Sequence, residues 1–477
     1  MRILQHRRWW KIGAGALFVF IGLVVVLVGP WPLSDGSFAQ ASYYRQTLQD
    51  FERSRTRHRL SQSPRRLFAG WGRSELKPPP GTPLGGYGGR KAHPSQGSHD
   101  TLWAKAVAVS DGDDTAILIG ADLLLITPGI ADIVRQGLSR ESPLRGDDLF
   151  FTASHTHSGP GSLAPGWAAE QYFGPYNPEV LASIGDSVLD AAREAYRNLQ
   201  PARMTLAEVR AGDLIRNRSR QGPVDDEISI LLLEQAGGRR CVLFSFSAHA
   251  TVLSDRNLLF SADYPGYSQR FLEQQTGATA VFLGGAVGSM SYRIPMQAEK
   301  APAGTGSSPE DPFMRCQALG EEIGRRIIPA IQNPAWISEA EVASVGTAFE
   351  SPPVQWRLLS PNWRMSNILT RALGVSTRGW MSMVRIGNAL FVNVPGDLSG
   401  EISADWKRWA AQKGYDLWCS SFSGEYLGYI SPDRYYTQWA DSKGQLASET
   451  GLMSWMGPRQ EAYFTSLFQH MFQSLAP

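Results

Sequence analysis

From residue 67 onward, short apolar runs rich in β-branched and aromatic residues alternate with longer stretches of helical periodicity. The pattern predicts strands over Thr115 to Ile119, Leu149 to Ala153, Met204 to Glu208, Ile228 to Leu233, Cys241 to Ser247 and Thr279 to Leu283. It predicts helices over Ile130 to Gly137, Asn177 to Tyr196 and Asp311 to Ile328. A second group of strand-like residues, notably Met383 to Val394, precedes a predicted helix over Ser399 to Lys413. Such alternation implies an α/β fold with mixed β-sheets and flanking helices. Residues 294–311 read as a Pro/Gly/Ser-rich loop, and Asp311 followed by Pro312 is a natural cap and first-turn pair. No fixed-period repeat is visible.

The start of the chain follows another pattern. Between Lys11 and Asp35 there is no charge, and Ile12 to Val28 is apolar apart from small glycines. About 20 such residues suffice to span the hydrocarbon core of a bilayer. Arg2, Arg7, Arg8 and Lys11 precede the run, and Trp9, Trp10 and Trp31 stand where interfacial aromatics belong. The expected layout is a cytoplasmic basic segment at 1–11, a transmembrane anchor at 12–34, a membrane-proximal linker or helix at 35–66, and a globular body at 67–477. Positive charge ahead of the apolar run implies a single-pass inner-membrane protein whose body lies on the periplasmic or extracellular side. A signal peptide cleaved near Ala39-Gln40-Ala41 is the alternative, and it too exports the body.

Composition narrows the function classes. A net charge of +2 over 477 residues gives no electrostatic case for a nucleic-acid partner. Cys241, Cys316 and Cys419 form no CxxC pair, which argues against a cysteine zinc knuckle and against a disulfide framework. Cys241 lies in the apolar run CVLFSF and reads as a buried small hydrophobe. The 15 tryptophans fit an aromatic pocket or plain core filling equally well.

Candidate chemistry gathers where apolar strands run into histidines. LFFTASHTHSGPGS carries His155 and His157 directly after a strand, and CVLFSFSAHATVLS carries His249 after another. Catalytic and ligating groups collect at the carboxyl ends of strands, and neutral imidazole is a good zinc ligand or proton carrier. Hydrogen-bonded structural histidines are the bland alternative. Asp397, in NVPGDLSGE, follows a strand and either ligates a metal or caps the next helix. In FLGGAVGSMSYR, Ser289 and Ser291 follow a further strand, with glycines that suit close substrate or oxyanion contacts. The segment is not a G-x-S-x-G elbow.

The motifs ASHTHSGPG, NRS followed by VDDE, FSAHAT with SADYPGY, VGSMS, VPGD and GYISPDRYY, in this order, resemble the neutral ceramidase family. The resemblance runs from about Ala69 to Tyr436 and includes WGRSELKPPPGTPLGGYGGR as an opening segment. It implies a ceramidase-like catalytic domain at 67–477 and a zinc-dependent amidase of linear amides, splitting the N-acyl bond of ceramide into sphingoid base and fatty acid. It further implies His155, His249 and Tyr429 as Zn2+ ligands, with Asp397 where the family has a glutamate. His157 would be the catalytic histidine, Arg218 would face the reaction centre, and Ser291 would contact substrate. Tyr429 would also help stabilise the oxyanion.

Several departures bear on the substrate side. Asp397 is one methylene shorter than glutamate, Ser289 replaces an aspartate, and Ala286 replaces an asparagine-like position. The loop between NRS and VDDE is short. Asp441 falls where a further tyrosine is expected, with Trp439 nearby, and little chain remains for the family's C-terminal β-sandwich domain. A lipid-facing rim is expected from Trp356, Trp363, Trp380 and Trp455. Zinc suits imidazole better than magnesium does, with iron and manganese left open. The expected partners are an N-acylated lipid substrate and the membrane. The alternatives are a metal-dependent hydrolase of another envelope amide or ester, or a non-catalytic lipid-binding protein.

Overall fold

The computed structural model describes residues 2–34, 36–55, 64–219, 222–295, 311–357, 362–437 and 453–475, with side chains from Lys11. The apolar opening forms helix α1 (Arg2–Leu27) and stops there, because Gly29 and Pro30 cannot extend it. Trp31 and Pro32 then pair antiparallel with Arg364 and Trp363. The expected span at 12–34 is therefore not found as one element. Among the described residues no helix is long and apolar enough to cross a membrane. Within the expected linker or helix, Ser42–Arg55 forms α2, which buries Tyr44 and Phe51 in the core of the body.

Eight strands build the larger sheet: β1 (Phe68–Glu75), β2 (Trp103–Ser110), β3 (Thr115–Ala121), β4 (Leu149–Ala153), β5 (Gln200–Arg210), β6 (Glu227–Gln235), β7 (Arg240–Phe246) and β8 (Thr279–Gly284). Their spatial order is β8-β7-β6-β5-β1-β2-β3-β4. Only β3 with β4 and β7 with β8 are parallel. A parallel pair needs a crossover, supplied by α3 (Pro128–Glu141) in the first case and α6 (Asp263–Thr276) in the second. The segment between β4 and β5 carries α4 (Trp167–Phe173) and α5 (Pro178–Arg197), and α7 (Pro312–Ala330) packs on α6.

The smaller sheet is β9 (Val342–Glu350), β10 (Arg378–Ile386), β11 (Ala389–Val394) and β12 (Asp416–Ser421), in that order. Again only the last pair is parallel, and α9 (Gly400–Ala411) makes the crossover. The short α8 (Asn367–Ala372) and α10 (Asp433–Thr437) lie in the connections, and α11 (Gln460–Leu475) covers the outer face with α2. The chain thus repeats one topology three times, over 68–153, 200–284 and 342–421: an antiparallel three-strand meander, a crossover with a helix, and a fourth strand parallel to the third.

The two sheets pack face to face through Phe150, Leu231, Leu243, Ile386, Phe391 and Trp418, with helices outside both. Cys241 belongs to this layer and Cys316 and Cys419 are buried and unbridged. The larger sheet also curls until its edges touch. A Cβ on Gly284 would stand 2.0 Å from the Ala153 carbonyl oxygen, and one on Gly120 would stand 2.3 Å from that of Phe282. Glycine at these places lets β8 approach β3 and β4, and Thr152 Oγ1 donates to the Gly284 carbonyl at 3.1 Å. This closure brings the carboxyl ends of β4 and β7 together.

Candidate metal centre

His155 stands two residues past β4, and His249 three residues past β7. Asp397 occupies the corresponding third position past β11, where it pairs with Tyr429 in a two-residue parallel bridge. Leu124, third past β3, contributes its carbonyl, which accepts from His155 Nδ1 at 2.7 Å. The repeated topology therefore delivers one group from each unit's third strand to a common centre.

Three imidazoles meet there. His155 Nε2 lies 2.9 Å from His249 Nε2, and His157 Nε2 lies 3.3 Å and 3.2 Å from them. Because Nδ1 of His155 and Nδ1 of His249 donate to the carbonyls of Leu124 and Val287, both Nε2 atoms carry lone pairs. Two lone pairs facing each other at 2.9 Å do not form a hydrogen bond; they repel unless a cation joins them. His157 differs. Its Nδ1 is buried without a partner among the described residues, so no backbone group fixes its tautomer. Burial holds all three imidazoles neutral, with His155 lowered to about 3 and the other two well below the ordinary value.

Asp397 completes the arrangement. Its Oδ2 accepts from Tyr426 at 2.8 Å and the Tyr429 hydroxyl also acts on the carboxylate, while Oδ1 lies 3.4 Å from His155 Nε2 and, among the described residues, has no hydrogen-bond partner within normal distance. Burial, partly opposed by Tyr426 and Arg218, raises this carboxyl to about 7. An orphaned buried carboxylate oxygen beside imidazole lone pairs is a donor set that fits a borderline-soft divalent cation. His155, His157 and His249 form the possible metal-holding cluster among the described residues. Backbone strain marks the same spot. His155 has φ +60° and stacks at 4.5 Å on Phe422, which has φ +72°.

The centre forms one end of a cavity of about 430 Å³ walled by Leu124, Leu163, Phe173, Leu181, Val375 and Trp455. That volume and lining suit a largely apolar ligand. Arg218 reaches from the opposite side, donating to Tyr429 Oη at 3.1 Å and to the Gly288 carbonyl at 2.8 Å.

Residues 70–291 match the domain described as neutral/alkaline non-lysosomal ceramidase, N-terminal. This stretch belongs to the N-terminal domain of the neutral ceramidase family. Its neutral ceramidase relatives include one from Mycobacterium tuberculosis, 26% identical over 222 residues, and one from Pseudomonas aeruginosa, 24% identical over 234. These alignments take in 42% and 43% of this chain and 34% of each relative, so the matched part spans about a third of the curated relatives. In structure the neutral ceramidase of Pseudomonas aeruginosa superposes with a TM-score of 0.71 at 17% identity, covering 87% of this chain and 75% of that one. A ceramidase complexed with C2 gives 0.70 at 17%, covering 86% and 75%. The ceramidase fold thus extends well past the matched sequence.

Within this neutral ceramidase fold, His155, His157, His249, Asp397, Tyr429 and Arg218 converge as a group. Ser291 does not join them. It sits on a short strand paired with 215–217, its backbone bridges to His249, and it does not line the cavity. Ser289 is turned away from any oxyanion position: its hydroxyl hydrogen-bonds Glu401 and accepts from Gly400 N at 3.0 Å, at the start of α9. The helix-cap reading of Asp397 fails, since Ser399 precedes α9 and Asp397 faces the histidines. Of the four rim tryptophans only Trp455 lines the cavity. Trp356 packs on it at 5.6 Å, Trp380 lies beneath Arg135, and Trp363 is exposed. Trp439 and Asp441 lie outside the described residues.

Sequence reasoning missed Tyr426, which holds Asp397, and Phe422, which holds His155. It also assigned no role to Tyr87 and Arg90, although GGYGGR drew notice. The Tyr87 ring lies 4.6 Å from that of His157, and Arg90 Nη1 donates to the His157 carbonyl at 2.5 Å.

Proposed function

We propose that this chain is a zinc-dependent amidohydrolase that cleaves the N-acyl bond of ceramide or a related N-acylated lipid. The observation that carries the proposal is the meeting of tautomer-fixed imidazoles and an orphaned carboxylate at the end of an apolar cavity in a ceramidase fold. His155, His249, Asp397 and Tyr429 are the residues that would hold the metal. Zn2+, when bound, would supply an acidified water and polarise the amide carbonyl.

The remaining groups act on protons and charge. His157 Nε2 faces the centre while its Nδ1 is unengaged, so its ring is free to take a proton and return it to the leaving nitrogen. An amine leaves poorly unless protonated, which makes this transfer necessary. Arg218, through its contact with Tyr429 Oη, places positive charge where an oxyanion develops. The apolar walls bind the acyl chain and keep bulk water from the reacting carbonyl. Ser291 acts, on this reading, only through the backbone that carries His249. The body is proposed to work outside the cytoplasm, with the α1 end of the chain at the inner membrane.

The test is metal analysis together with product release from a panel of N-acyl lipids and simple esters. The wild-type chain should bind zinc and release fatty acid from N-acyl lipids, whereas His155→Ala and His249→Ala should lose both by a factor on the order of 1000 or more. Metal-loaded protein that cleaves no N-acyl lipid would sink the assignment.

A further inference from the structure

Pro165, Tyr172 and Gly374 are the exposed members of the cavity wall, and they mark its mouth. Large apolar side chains are exposed around this mouth. Outside α1 and its end, the exposed large apolar side chains among the described residues are Trp167 at 54%, Tyr172 at 37%, Met314, Ile337, Trp363 at 47% and Ile368 at 48%. Four of these six belong to α4 or to residues 363–368. The segment that carries 363–368 runs on through α8 to meet α4 beside the mouth, where Ala168 N donates to the Leu373 carbonyl at 3.0 Å and Gly166 meets Gly374.

The same surface is fastened to α1. Ser366 bonds both end carbonyls of the apolar run, its Oγ to Leu27 and its N to Val28. Trp31 and Pro32 pair with Arg364 and Trp363, and the Arg364 guanidinium lies 5.1 Å over the Trp31 ring. Ser34 and Gln355 exchange two hydrogen bonds, and Gln355 N donates to the carbonyl of Trp455 in the cavity wall. From Ile12 to Val28 nearly every large side chain of α1 is exposed, with no polar face. A helix apolar on all sides and, from Ile12 to Val26, covered by no other described element is suited to an apolar surrounding such as lipid. A protein partner would occupy one face and leave the rest in water.

We propose that the cavity mouth rests on a lipid bilayer, with Trp167, Tyr172, Trp363 and Ile368 dipping into the interface beside α1, so that an N-acyl lipid enters sideways from the membrane. The proposal rests on the reading above for its substrate, but the surface itself can be tested without turnover. Tryptophan and tyrosine suit such a level because each joins an apolar ring to a polar tip. Lateral entry spares the acyl chain any passage through water, which would cost free energy for every methylene exposed.

The three native cysteines are buried, so a single introduced thiol can be labelled selectively. Full-length Ile368→Cys carrying a polarity-sensitive dye, in phosphatidylcholine vesicles, should lose most of its emission to brominated lipid. The same dye on Met314→Cys, exposed on α7 away from the cavity wall, should not. No quenching at 368, or equal quenching at both positions, overturns the proposal. So does protection of 368 in a defined dimer without lipid, which would assign the surface to a second copy. In a second arm, Trp167→Asp with Ile368→Asp should lower turnover of vesicle-borne N-acyl lipid by about tenfold or more, and leave a short-chain soluble N-acyl substrate unchanged. Loss on both substrates, or on neither, counts against it. If wild type cleaves neither substrate, the assigned reaction fails, and the quenching still decides the surface.

Discussion

A methyl group at position 86 would strike the candidate metal centre. A Cβ on Gly86 would lie 2.7 Å from His157 Cγ and Nδ1, and the backbone φ of +105° is one that other residues rarely adopt. Gly86→Ala should shift His157 while leaving His155 and His249 on their carbonyl partners. The expected outcome is a fall in kcat on the order of 100-fold with zinc content unchanged, read by steady-state kinetics beside metal analysis. Protons give a second residue-scale test. The buried imidazoles stay neutral when folded, whereas an unfolded chain protonates them near pH 6.5. As pH falls below about 6.5 the unfolded state binds more protons, so stability of the metal-free protein should fall. Asp397, raised to about 7, opposes this, because below 7 the folded state holds a proton that the unfolded state releases until about pH 4. Asp122 and Glu425, raised to about 7, and Asp263 and Asp433, raised to about 6, oppose it in the same way. The imidazole share is therefore read as a difference: between pH 7 and pH 5, metal-free wild type should lose more than about 1 kcal/mol relative to His157→Gln in denaturant titration.

Helix ends and strand cores were the most legible elements in the sequence. Asp311 caps α7 by accepting from Phe313 N at 2.9 Å, as its place before Pro312 implied. Asp311→Ala should cost about 1 kcal/mol in a denaturant midpoint. The strands preceding His155 and His249 were visible because both are buried on two faces and read as continuous apolar runs. Met383 to Val394 was read as one strand group, and the structure resolves it into β10 and β11 with a turn at Gly387-Asn388, where φ at Gly387 is +61°. β9 escaped notice, since VASVGTAFE mixes small and polar residues and owes its place to partners far along the chain. Likewise α2 has the polar composition of a tether. Two aromatic residues, Tyr44 and Phe51, draw it onto the smaller sheet.

On the scale of the molecule, the threefold repetition of one unit left no trace in the sequence pattern. Strand order and crossovers recur while residue identities do not, so no period could be counted. The pairing of His155 with His249 was legible because each follows an apolar strand. That Asp397 stands at the matching place in the third unit was not, since the match exists only once the units are laid over one another. The centre draws on all three units, so an ion bound there should stabilise the whole body. Removing metal with a chelator should lower Tm by several degrees in a calorimetric scan, and restoring zinc at about 1,000 times its Kd should recover about 4 kcal/mol. His155→Ala with His249→Ala should abolish that response.

Each of the three strand ends that supply His155, His249 and Asp397 is correctly placed only when its own sheet is complete and the curled edges have met. No short stretch of chain can therefore capture zinc ahead of the rest, unlike a finger whose ligands are neighbours in sequence. If the centre takes a metal, the polypeptide must reach its final topology unaided, and loading would be the last event of maturation, a molecular certificate that the distant parts have found one another.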